Sequence, residues 1–128
     1  MNPNGVVIRS SKYTVKETID RLVVFLQQQG ATVYARINQQ SEVQNAGLKI
    51  RPLELILFGN PKAGGLAMIE TPVAALDLPL KIIAWEDETD KVWLAYNDAA
   101  YIGERYSIPP ALTEALDLEP LITKALKS

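Results

Sequence analysis

Histidine and cysteine are both absent from this sequence of 128 residues. Their absence excludes disulfide frameworks, thiolate nucleophiles, zinc sites built on Cys or His, and a histidine general base. The chemistry left to the chain is that of carboxylates, Lys, Tyr and Ser/Thr, or a hard-metal site made only of oxygens. A basic excess is also missing: Lys and Arg number 13 against 15 Asp and Glu, for a formal net charge of -2. The cations are scattered from Arg9 to Lys127, so no electrostatic footprint for nucleic acid is expected. Long apolar runs are lacking too, and Met1-Asn2-Pro3-Asn4 is not a basic stretch leading into one. Neither a signal peptide nor a membrane anchor is visible, and a cytoplasmic protein with no membrane partner is the expectation. Against these absences stands an ordinary globular composition, 48% hydrophobic and 22% charged. A single domain over residues 1–128 with one core is expected.

Gly5 to Ser10 is a short run rich in β-branched residues and reads as a first strand. Thr14 and Glu17 have capping-box spacing, and Val15, Ile19, Leu22, Val23 and Leu26 then recur at helical intervals until Gly30. Ala31 to Asn38 reads as a second strand, with Val33, Ala35 and Ile37 alternating against Thr32, Tyr34 and Arg36. A weak helical pattern covers Gln39 to Ala46, and Leu53 to Phe58 forms a third strand. The loop Gly59-Asn60-Pro61-Lys62-Ala63-Gly64-Gly65 follows, and then a short helix over Gly65 to Glu70. A helical turn at Val73 to Pro79 leads into strands at Leu80 to Glu86 and Val92 to Tyr96, joined as a hairpin across Asp87 to Asp90. Asn97-Asp98 caps a helix over Ala99 to Tyr106, and Pro109-Pro110 and Pro120 divide what remains. Strands and helices are mixed rather than alternating, which points to an α+β fold. The expectation is a mostly antiparallel sheet of about five strands, a long helix on one face and short helices at the ends.

Four stretches follow one another in register: Leu57-Phe58-Gly59-Asn60-Pro61-Lys62-Ala63-Gly64, Ala75-Leu76-Asp77-Leu78-Pro79-Leu80-Lys81, Trp85-Glu86-Asp87, and Val92-Trp93-Leu94-Ala95-Tyr96-Asn97-Asp98. On these the chain resembles the domain of unknown function 302 family. The resemblance covers about residues 5–108 and leaves a C-terminal helical segment at 110–127. It implies a compact α+β domain, commonly a homodimer, with no established reaction and no cofactor. Members of that family often carry a histidine just after the second strand, where this chain has Asn38-Gln39-Gln40. Gln39 stands in that place, and glutamine hydrogen-bonds without titrating near neutral pH.

The glycine loop has the G-x-x-x-x-G spacing of a phosphate loop, but Gly65 and Leu66 stand where Lys and Ser/Thr are needed, so nucleotide hydrolysis is not expected. A weaker reading has the N–H groups of Ala63, Gly64 and Gly65 meeting a carboxylate or phosphate, with Asn60 and Lys62 near by. The bland alternative is a rigid turn capped by Asn60 and fixed by Pro61. Asp77 either awaits a cation or bonds backbone N–H groups in the turn before Pro79. By strand alternation Lys81 and Trp85 share a face, and a cleft lined by both with Tyr96 is conceivable. Trp85 and Trp93 serve more simply in cross-strand packing or a dimer interface. Arg105 either offers a guanidinium to an anion or pairs with Glu104 or Asp98 on the helix surface. Three readings stay open. The first is a structural or interaction domain that pairs as a homodimer. The second is an anion or metabolite site at Gly59 to Gly65 drawing on Asp77 and Tyr96. The third is an enzyme using Asp77, Lys81 and Tyr96 for acid/base chemistry, and no metal is implied by any of them.

Overall fold

In a computed structural model that describes residues 2–127, five strands form one antiparallel sheet in the order β1-β5-β4-β3-β2. The strands are β1 (Val6–Ser11), β2 (Thr32–Asn38), β3 (Leu53–Gly59), β4 (Leu80–Glu86) and β5 (Val92–Asn97). Helix α1 (Val15–Gln28) carries the capping box read from the sequence: Thr14 accepts from the Glu17 N–H, and Glu17 accepts from the Thr14 N–H. Its apolar stripe of Val15, Ile19, Leu22 and Leu26 is buried against Ile56, Phe58, Ile82 and Leu94 of the sheet. The chain leaves α1 through Gly30, whose φ of +84° is a conformation open chiefly to glycine. The C-terminal helix α6 (Glu119–Ala125) completes this layer by burying Ile122 and Ala125 in the same core. The numbering of α2 to α5 follows chain order: α2 (Gln39–Asn45), α3 (Pro61–Glu70), α4 (Ala99–Tyr106) and α5 (Pro110–Thr113), with 3-10 turns at Pro72–Leu76 and Glu114–Leu116. The fold is α+β, as expected.

Two local readings are corrected. The even alternation expected along β2 is broken by a bulge: Val33 lies opposite Phe58, and Ala35 lies opposite Leu57. Val33 therefore faces the core, whereas Ala35 and Ile37 lie on the other face of the sheet. Arg36 is left on the helix side, where it bonds Glu54 at 2.7 Å and Asp20 of α1 at 2.6 Å. The pairing satisfies Glu54, a mostly buried carboxylate. Secondly, the helix expected over Gly65 to Glu70 begins four residues earlier, at Pro61. Asn60 caps it and Pro61 occupies its first turn, where a missing N–H costs nothing. Most of the Gly/Pro loop is therefore helix.

A smaller second core sits at one end of the sheet. It joins Ala67 of α3, Ala74, Ile102 and Tyr106 of α4, Ile108 and Leu116. Helices α4 and α5 approach closely there, since a Cβ added at Gly103 would lie 2.6 Å from the Thr113 hydroxyl oxygen.

Candidate functional site

Strand β3 ends at Gly59 and hands the chain directly to Asn60, the N-cap of α3. The Asn60 side-chain oxygen accepts from the N–H groups of Lys62 at 3.0 Å and Ala63 at 3.4 Å. The Gly64 N–H donates to the Asn60 carbonyl at 2.9 Å. Donors that an incoming anion would need are thus held by the chain itself, as the capped-turn reading requires. Beside this turn lies a cavity of about 210 Å³ between the start of β2, the end of β3, the start of α3, Leu78-Pro79-Leu80 and Leu116. Its lining includes Asn60 and Gly64 but neither Lys62 nor Gly65, and among the described residues no charged side chain lines it.

The other residues singled out from sequence are dispersed. Asp77 follows the 3-10 turn and accepts hydrogen bonds from Arg105, at 2.8 Å, and from the Tyr106 hydroxyl. Arg105 therefore pairs with Asp77 rather than with Glu104 or Asp98. The Tyr106 hydroxyl is held above its ordinary pKa, first by that hydrogen bond and then by burial. Asp77 thus fastens the segment before β4 to α4, through side chains rather than the backbone N–H groups expected of a turn. Asp98, also acidic, caps α4 by accepting from the Ala100 N–H at 3.3 Å. Tyr96 lies opposite Ile82, on the helix-covered face, and its hydroxyl donates to Glu119 of α6 at 3.3 Å. Burial, and next the Glu119 charge, push its pKa up.

Lys81 lies opposite Leu57 on the other face of the sheet, in line with Ile83 and Trp85. Tyr96 follows the strand period to the other face, so the cleft expected of Lys81, Trp85 and Tyr96 is reduced to a shallow depression lined by Lys81, Ile83, Ala95, Tyr96 and Asn97, without Trp85. Asp77 is not gathered with Lys81 and Tyr96 for acid/base work, since it is engaged by Arg105 and Tyr106, and the Tyr96 hydroxyl is turned to Glu119. Gln39 opens α2 directly after its N-cap Asn38.

Trp85 and Trp93 are directly opposite each other across the β4–β5 hairpin. The Trp93 indole N–H donates to Asp87 at 2.8 Å, and the Lys91 ammonium lies 4.4 Å from its ring centroid. Asp87 also accepts from the Thr89 N–H and hydroxyl and from the Lys91 N–H. These bonds, first those to Thr89 and Trp93, hold its carboxyl far below the usual range. The face that carries both tryptophans has a continuous aliphatic row, Ile8, Ala95, Ile83, Leu55 and Ile37, one from each strand in register. Sequence reasoning missed this row, because register is a property of strand order and not of any one strand. It also missed Tyr34, Met68, Leu78 and Leu116 around the cavity. Their only local signal was the Leu78-Pro79 motif.

Comparison with known proteins gives a family and a fold. The model of a family described as "Domain of unknown function DUF302" matches residues 7–128, so the match runs through the C-terminal helices beyond the motif-bearing region. The chain is 36% identical over 120 residues to "Fluoride-specific ion channel FluC 1" of Brucella suis biovar 1 (strain 1330) and to its namesake in Brucella abortus biovar 1 (strain 9-941). These matches cover 94% of this chain but only 46% and 44% of those proteins, so it spans less than half their length. Among the described residues no helix is long and apolar enough to cross a membrane. The crystal structure of an uncharacterized conserved DUF302 protein from Bacillus stearothermophilus shares the fold, with a TM-score of 0.79 over 97% of both chains at 21% identity. The chain belongs to the DUF302 family.

Proposed function

We propose that this chain is a self-pairing interaction domain in which two copies meet through the sheet face that α1 does not cover. The observation that carries this reading is the in-register row Ile8, Ala95, Ile83, Leu55 and Ile37. On the α1 side of the sheet Ile56, Phe58, Ile82, Ala84, Leu94 and Tyr96 are buried within one chain, whereas Ile8, Ile83, Leu55, Ile37 and Trp85 on the other face keep part of their surface open. A face of this composition loses free energy in water and gains it by meeting a copy of itself, which a twofold axis makes self-complementary. Trp85 adds aromatic area to the pairing, while Trp93 serves mainly to fasten its hairpin. The test is sedimentation of wild type and Ile83→Lys at tens of micromolar: a wild-type dimer and a folded monomeric variant are expected. A monomeric wild type overturns the reading.

A second reading is favoured by the names of the Brucella relatives. In it the domain is a companion of a membrane-embedded channel, covering the part of such proteins in which this chain has no membrane-spanning helix. The outward side chains Leu66, Ile69, Val73 and Leu76, exposed on α3 and the following turn, are its contact surface. Co-purification in detergent with a fluoride channel from the same cell, lost in Ile69→Asp, is the expected result. Separation of the wild-type chain from the channel counts against it.

A further inference from the structure

Gly59 and Gly64 line the cavity beside α3, and Gly65 does not. A Cβ at Gly59 would lie 3.7 Å from Pro79 and 3.8 Å from the Tyr34 ring, and one at Gly64 would lie 4.0 Å from the Met68 methyl carbon. A Cβ at Gly65 would meet nothing within 4 Å. Neither Gly59 nor Gly64 has a positive φ, so the backbone does not demand glycine at either position. What their missing side chains leave is room, kept at position 64 inside a helix where glycine is disfavoured.

The chemistry of the walls selects what would fill that room. Met68, Leu78, Pro79 and Leu116 are apolar, and Tyr34 offers an aromatic ring at the mouth. An ion entering here would give up its water without meeting an opposite charge. At the rim, the Asn60 side-chain oxygen is held by the Lys62 and Ala63 N–H groups. Asn60 is exposed and lines the cavity, so its amide NH2, with two donors, is available at the rim. Apolar protein cavities of about 150 Å³ hold benzene. At about 210 Å³ this one has space for a single ring with a short substituent.

We propose that the cavity between Tyr34, Gly59, Gly64, Met68 and Leu116 is a binding site for a small uncharged molecule of one ring and one hydrogen-bond-accepting oxygen. The ring lies between Tyr34 and Met68, and the oxygen accepts from the Asn60 amide. This assignment replaces the anion expected of the glycine loop and does not depend on pairing through the sheet, which uses other residues. The two methionines, Met1 and Met68, make a convenient reporter. With methyl-labelled methionine, benzyl alcohol shifts the Met68 signal saturably, with a Kd of about 1 mM or tighter. Benzoate, the same ring with a charge, binds at least about tenfold more weakly. Gly64→Leu abolishes the response while melting within about 5 °C of wild type, and Gly65→Ala binds as wild type does. Should Gly64→Leu fail to fold, Gly64→Ala with its partial filling and the alcohol-to-acid comparison in wild type decide the matter. A missing or unsaturable Met68 shift, an equal response to benzoate, or intact binding in folded Gly64→Leu overturns the proposal.

Discussion

Where α1 lies on the sheet, the core is closed by large branched side chains, and Ile19, Leu22, Ile56, Ile82 and Leu94 are each 0% exposed. Where α3 and its 3-10 turn lie against α4, those two segments bring only small side chains to the core, Ala67 and Ala74 at 0%, and the bulk comes from Ile102, Tyr106, Ile108 and Leu116. On that same segment Ile69 is 78% and Leu76 68% exposed, so apolar bulk is spent outward. A layer packed with leucine and isoleucine leaves no volume for a guest, whereas the start of α3 leaves a cavity where Gly59 and Gly64 face Tyr34, Met68 and Leu116. The difference separates a part of the molecule built for stability from a part with room to receive something.

The contrast is broken most directly by paired truncations. Leu22→Ala empties a fully enclosed site and is expected to cost about 3–5 kcal/mol. Leu116→Ala enlarges a cavity that already exists and is expected to cost about 2 kcal/mol or less. Urea unfolding with unchanged m-values measures both. Equal losses would mean that the alanine-lined end is as tightly built as the sheet.

Next in size is the fastening, within the second region, of the segment before β4 to α4 by Asp77. Removing it in Asp77→Ala leaves the Tyr106 hydroxyl without its acceptor and frees Arg105, for an expected loss of about 1–2 kcal/mol. The figure is held down because the Arg105 side chain is 49% exposed and its ion pair is screened. A variant as stable as wild type would show that α4 docks through its apolar side chains alone.

How much of this was legible in the sequence follows the range of the forces involved. Thr14, Glu17 and the stripe to Leu26 announce α1, because capping and helical periodicity act within one or two turns. The hairpin from Leu80 to Tyr96 is legible for the same reason. Arg36 is not: its place on the core side depends on the bulge between Val33 and Ala35, which only the pairing with β3 creates. The loop at Gly59 to Gly65 announced a special turn, and its Asn-Pro start is a helix N-terminus by local rules, but its glycines left a capped turn and an anion site both open. Their place beside Tyr34 and Leu116 rests on proximity across about 25 to about 57 residues of chain, beyond any spacing rule. The separation of Tyr96 from Lys81 was within reach, since alternation together with hairpin register places them on opposite faces.

A smaller effect sharpens the stable side of the comparison. Thr14→Ala removes the acceptor for the Glu17 N–H and is expected to cost about 1 kcal/mol, read as a fall in the thermal midpoint. An unchanged midpoint would mean that burial of the α1 stripe fixes the helix start without its cap.

The smallest effect is present at neutral pH and fades in acid, and it belongs to the hairpin tip. Asp87 is held far below the ordinary carboxylate range by bonds to Thr89, Trp93 and Lys91. A depressed folded-state pKa adds stability above the unfolded value, near 3.8, and that contribution is lost as pH falls through the folded one. Asp87→Asn keeps the side-chain shape but not the charge, so it is expected to be less stable than wild type at pH 7. The gap should narrow progressively below about pH 4, where the unfolded wild-type carboxyl takes up its proton and the folded one resists. Urea melts followed by tryptophan fluorescence at a series of pH values measure it. A gap that stays constant with pH would assign the difference to lost hydrogen-bond geometry, leaving the charge of Asp87 no part in holding the hairpin.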